Sequence, residues 1–105
     1  MKRAMQALVI AGDEMKGDVL SNRKKISIRE GHRDFSPGPL MLGCPHLKWS
    51  AIREITSVQH KRLYQVTRQE LADDGFTGYD DAIETLQQWY PTIDLDSQVT
   101  VIRWK

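Results

Sequence analysis

The segment Arg23-Lys24-Lys25-Ile26-Ser27-Ile28-Arg29 sets four cations and one hydroxyl along a short strand-like run. Successive side chains of a strand point to opposite faces. Ile26 and Ile28 therefore face a core, while Lys25, Ser27 and Arg29 share the other face. A polar face of that composition suits an anion or a polar ligand. Lys24 has the parity of the isoleucines, so it joins Ser27 only where the chain bends or bulges at the start of the strand. Without such a ligand, the same cations make a solvated face.

The elements that must hold this run follow from periodicity and punctuation. Residues 5–11 read as a strand. Residues 13–22 suit a short helix, with Asp13 and Glu14 in its first turn and Asn22 as a left-handed stop. The basic strand, 24–29, comes next. Ser36-Pro37-Gly38-Pro39 marks a turn in a polar loop over 31–38, and residues 40–44 form a short strand ended by Pro45. Residues 49–60 read as a longer strand, bulged because its apolar parity changes near Arg53. Thr67-Arg68-Gln69-Glu70 is a capping box whose helix stops at Gly75. Thr77-Gly78-Tyr79-Asp80 offers a second cap of the same type, and Pro91 ends that helix. Its stripe of Ala82, Ile83, Leu86, Trp89 and Tyr90 is core. Residues 98–105 close the chain as a strand. The order predicts an α+β fold, a largely antiparallel, barrel-like sheet with about three helices.

A chain of 105 residues, 40% apolar and 28% charged, reads as one globular domain over 1–105. No apolar run approaches the roughly 20 residues that span a bilayer. The basic, apolar start meets Asp13-Glu14 at once, so it reads as a first strand rather than a signal peptide. Cys44 is the only cysteine, which excludes an intrachain disulfide and points to a reducing cytoplasm. Net charge is +1, but residues 1–53 hold ten Lys/Arg against five Asp/Glu and residues 54–105 hold five against nine. The basic half suits phosphate or a polyanion as much as it suits solvent.

With these elements in place, the chain resembles the ASCH family, small domains whose β-barrel is like that of the PUA RNA-binding fold. The resemblance rests on a helix running into Ser21-Asn22-Arg23-Lys24-Lys25-Ile26-Ser27-Ile28-Arg29, close to the family's G-R-K-T-x-T-x-R signature. It continues through Ala51 to Val58, the helix ending Ala72-Asp73-Asp74-Gly75-Phe76, Trp89-Tyr90-Pro91 and Val99 to Ile102. The short bacterial members that hydrolyse the acetyl amide of N(4)-acetylcytidine are the most similar in appearance. In them the signature lysine, the threonine three residues later and a glutamate before a glycine-like turn carry catalysis. That resemblance puts the catalytic positions on Lys24, Ser27 and Asp74, with serine for threonine and aspartate for glutamate. Asn22 stands for the signature glycine, and Asn also accepts positive φ.

Amide hydrolysis needs a nucleophile, a base, a donor for the oxyanion and an acid for the leaving amine. In one assignment Ser27 is the nucleophile, Lys24 its base and Asp74 the group that carries the proton to nitrogen. In the other, Asp74 activates water and Lys24 stabilises the oxyanion. Arg29, with Arg23 and Lys25, is placed to hold the substrate. Neither assignment needs a cofactor or a metal. Cys44-Pro45-His46 has no second pair at ligand spacing, and His32 and His60 stand alone in the sequence. Trp49, Trp104 and Tyr64 suit a barrel wall better than a base-stacking surface, and Gly75-Phe76-Thr77-Gly78 lacks the spacing of a phosphate loop. Two functions follow: an amidohydrolase on an N-acylated pyrimidine nucleoside, and a non-catalytic module that binds RNA or a modified nucleoside in the same basic cleft.

Overall fold

The computed structural model describes residues 5–10, 16–44 and 49–105. Within them, Gln6–Val9 (β1), Lys16–Leu20 (α1), Ile26–Glu30 (β2), Gly38–Cys44 (β3) and Trp49–Arg62 (β4) come first. A short 3-10 turn over Leu63–Gln65, Arg68–Asp73 (α2), Tyr79–Leu86 (α3) and Gln98–Trp104 (β5) complete the order. The strands form one sheet in the order β1-β3-β4-β5-β2. Only β1 and β3 run parallel; the other three pairings are antiparallel. The sheet curls into a half-barrel flanked by helices, an α+β architecture.

Curling gives the sheet two buried faces. Leu8, Leu40, Leu42, Trp49, Ile55, Ile102 and Trp104 fill the inner face together with Ile10 and Val19. On the outer face, Ile26, Ile28, Val99 and Val101 pack under α2 and α3 through Leu71, Ala82 and Leu86. Each fully buried leucine or isoleucine of these clusters contributes roughly 1.5–3 kcal/mol. The β5 strand lies between β4 and β2 and alternates between the two clusters, so its apolar residues are buried on both sides.

The bulge expected in β4 is present, but it lies between Ile55 and Ser57, where the pairing with β5 shifts, rather than at Arg53. Before it, Trp49, Ala51 and Ile55 turn inward; after it, Val58 does. One inserted residue therefore exchanges odd for even parity. Strand β3 starts at Gly38, two residues before the predicted position. Gln6 makes this possible: its amide donates to Ser36 O and Pro39 O and accepts from Ser36 N–H, tying the turn to β1.

Local punctuation is mostly as read. Asn22 has φ +63 and Gly75 φ +91. Thr67 Oγ1 accepts from Glu70 N–H, while the Glu70 carboxylate accepts from Thr67 N–H. The cap of α3 differs: its N-cap is Gly78, and the Asp81 carboxylate accepts from Thr77 N–H. Trp89 also departs from the expected stripe, being 55% exposed. The α3 helix ends at Leu86, so the 3.6-residue period that would turn Trp89 inward no longer applies. Asp13 and Glu14 lie outside the described residues. Among the described residues, no helix is long and apolar enough to cross a membrane.

Candidate functional site

The site begins with the way α1 stops. Asn22 turns left-handed, and the N–H groups of both Arg23 and Lys24 donate to Asp18 O, at 2.8 and 3.0 Å. The chain is thus bent before β2 starts at Ile26, which frees Lys24 from the pleat. The bend carries Lys24 to Asp74 at the end of α2, while Ser27 faces the other way and bonds to Arg29. Trp104 then holds the bend in place, its indole N–H donating to Lys24 O at 2.9 Å and its backbone N–H to Lys25 O at 3.0 Å.

From there the Lys24 ammonium pairs with the Asp74 carboxylate, the C-cap residue of α2. Both side chains are buried, at 6% and 7% exposure. The second carboxylate oxygen of Asp74 accepts from Ile28 N–H at 3.2 Å. That N–H is available because of register. Gly31 N–H donates to Gln98 O and Trp104 N–H to Lys25 O, so the odd residues of β2 bond to β5. Ile28 therefore aims its N–H at the open side of an edge strand. Although aspartate is one methylene shorter than glutamate, Asp74 reaches both donors. Burial pushes the Asp74 carboxyl up, against the opposing influence of Lys24, Ile28 N–H and the Arg29 charge.

Ser27 and Arg29 lie on the opposite face of β2 from Ile26 and Ile28, paired with Ile102 and Thr100. Arg29 Nε donates to Ser27 Oγ at 2.7 Å, and Arg29 Nη2 donates to Val9 O at 2.8 Å. Arg29 thereby ties one edge strand of the half-barrel to the other. The Ser27 oxygen accepts from the guanidinium and keeps its own O–H to donate. Far from lying on an open polar face, Ser27 is only 4% exposed. The inner core covers that face.

The remaining basic positions separate. Arg23 is exposed and pairs with Asp18 at 3.0 Å. Lys25 is exposed and, with Arg23, Ile26, Asp73 and Arg103, lines a shallow recess of about 220 Å³. Arg103 Nη2 meets the Asp73 carboxylate at 2.9 Å. Hydrogen bonds from Gln69 and Arg103 hold the Asp73 carboxyl below the usual range. Adjacent aspartates thus have opposite environments: Asp74 turns inward and Asp73 outward. A larger recess of about 280 Å³ beside α2, lined by Arg68, Leu71 and Phe76 to Tyr79, touches none of these groups.

Several contacts had no legible signal. His32 and His60, which stand alone in the sequence, stack with ring centroids 3.7 Å apart. Thr100, fully buried, donates to Gly31 O, accepts from Arg33 N–H and meets His60 Nδ1, so it holds the loop after β2. Trp49 and Trp104 are core residues as expected, but Tyr64 is 54% exposed rather than part of the wall. Trp49 Nε1 is the one buried side-chain polar atom without a hydrogen-bond partner among the described residues. His46 and the Cys44 side chain lie outside the described residues.

No family model matches the sequence, and no curated protein matches it. A structural match exists to an ASCH domain from Lactobacillus crispatus JV V101, with a TM-score of 0.72 at 18% sequence identity. It spans 97% of this chain and 79% of that one. This match, over nearly the whole chain, makes the fold of this chain that of an ASCH domain, PUA-like in architecture.

Proposed function

We propose that this protein is an amidohydrolase that removes the acyl group from N(4)-acetylcytidine or a related N-acylated pyrimidine nucleoside. The observation that carries the reading is the buried Lys24–Asp74 pair at the edge of β2. Burial pushes the Asp74 carboxyl up, which favours the protonated form that an acid for the leaving amine needs. In this reading Lys24 takes the Ser27 proton as Ser27 attacks. The Arg29 N–H on Ser27 Oγ favours the alkoxide that forms.

The steps balance as acyl transfer. Ser27 Oγ bonds to the amide carbonyl carbon as its proton passes to Lys24. The C–N bond then breaks while Asp74 gives its proton to the leaving N4 amine, releasing the nucleoside. Water gives a proton to Asp74 as it attacks the Ser27 ester, and the C–O bond breaks while Lys24 returns its proton to Ser27 Oγ, which releases the carboxylic acid and restores the pair. The exposed cations Arg23 and Lys25 bind the substrate from outside, and Arg29 orients the carbonyl.

The test is incubation of the purified protein with N(4)-acetylcytidine, with cytidine followed by chromatography. Turnover lost in Lys24→Ala and in Ser27→Ala supports the reading, and undiminished turnover in Lys24→Ala refutes it. A second reading, non-catalytic binding of RNA in the same basic cleft, draws on the exposure of Arg23 and Lys25 beside Arg103. It predicts no turnover, and RNA affinity whose logarithm falls linearly against log salt.

A further inference from the structure

The recess outside the buried pair has a charge that its own walls do not balance. Arg23 and Lys25 come from the bend before β2, and Arg103 from β5. Ile26 and Asp73 complete the lining. Three cations thus face one carboxylate. Arg103 uses one guanidinium nitrogen on Asp73, and Arg23 uses one on Asp18, so each arginine keeps further N–H donors. Lys25 has no ion pair among the described residues. Asp73 is held ionised by Gln69 and Arg103, which orients Arg103 over the recess.

From this convergence we infer that the recess is a phosphate subsite, built from Arg23, Lys25 and Arg103. Planar guanidinium groups and a flexible ammonium match the oxygens of a phosphate monoester or diester. A volume of about 220 Å³ is ample for such a group. Position gives the subsite its meaning. Arg23 and Lys25 flank Lys24, and Asp73 precedes Asp74, so the recess and the buried pair are built from neighbouring backbone positions. The phosphate site rests on the recess alone. Its assignment to the phosphate of a nucleotide, so that the favoured substrate is an acylated cytidine nucleotide rather than the free nucleoside, rests on the proposed function.

The experiment uses the 15N-labelled full chain at low ionic strength, titrated separately with inorganic phosphate, cytidine, cytidine 5′-monophosphate and a short oligocytidylate. Expected is a saturable shift of the Arg23, Lys25 and Arg103 amides with phosphate and with the monophosphate. The monophosphate should bind roughly tenfold more tightly than cytidine, as expected for charged hydrogen bonds. In Lys25→Gln/Arg103→Gln that ratio should fall toward one. A further gain with the oligocytidylate would assign the phosphate to an RNA strand, and its absence to a mononucleotide. Phosphate shifts without nucleoside binding would remove the amidohydrolase and leave the subsite standing. Equal affinity for cytidine and its monophosphate, with those amides unmoved, would overturn the subsite and leave the amidohydrolase intact.

Discussion

Lys24 and Asp74, 50 residues apart in the chain, meet as a buried ion pair that also holds the Ile28 N–H at the edge of β2. Removing one partner leaves the other charge buried and unmatched, which costs about 3–5 kcal/mol. Lys24→Ala and Asp74→Ala should each lower stability by that order in urea unfolding. The double variant Lys24→Met/Asp74→Leu should recover most of the loss, because buried pairs often add little over apolar residues of similar size. Hydrolysis of N(4)-acetylcytidine should be absent from all three.

The pH dependence of Asp74 has a definite sign. Its folded carboxyl titrates above the ordinary value, so the folded state holds the proton more tightly than the unfolded chain. Its contribution is therefore greatest in acid and declines as pH rises through the folded value. The stability gap between the protein and Asp74→Asn should narrow as pH rises from the ordinary aspartate range toward neutrality, read from urea midpoints. If Asp74 is the acid for the leaving amine, turnover should fall over the same interval.

Glu70 has the opposite sign. Burial raises its carboxyl, but Lys61 at 2.7 Å and the Thr67 N–H and hydroxyl outweigh burial and hold it below the ordinary value. Its contribution is present above the ordinary glutamate range and is lost as pH falls through the depressed folded value. Glu70→Ala removes the capping box and the tether to β4, and should cost about 1–2 kcal/mol at neutral pH. The difference should shrink as pH falls through the depressed folded value, which thermal melts at neutral and acid pH would show. Because α2 carries Asp74 at its end, the same variant should reduce kcat more than it changes KM.

The two core tryptophans should respond differently to loss of the indole N–H. Trp104→Phe leaves Lys24 O without its donor and should destabilise by about 1 kcal/mol beyond the loss of apolar area. Trp49→Phe removes a donor that has no partner, so its cost should be confined to the lost area. Urea unfolding of the two variants, compared with Trp→Leu at each position, separates the hydrogen bond from packing.

What was legible in the sequence is what neighbouring residues decide among themselves. Asn22 as a left-handed stop, the Thr67–Glu70 capping box and Gly75 at positive φ depend on bonds reaching only a few residues, so their signals are local. The α+β order and the alternation of β2 were legible for the same reason. The meeting of Lys24 with Asp74 was expected only through the resemblance to ASCH domains; no spacing in the chain implies it. Arg103 on Asp73, His32 on His60 and the burial of Ser27 had no signal at all. Each depends on which strands become neighbours and how far the sheet curls. Once β5 lies between β4 and β2, register alone brings Arg103 opposite Ile26 and Thr100 opposite Arg29. Trp89 shows the converse: its spacing implied burial, but α3 ended one turn too soon. Local sequence thus determined where elements begin and stop, and tertiary structure decided which polar groups lost their water, because desolvation depends on everything packed around a group rather than on its neighbours in the chain.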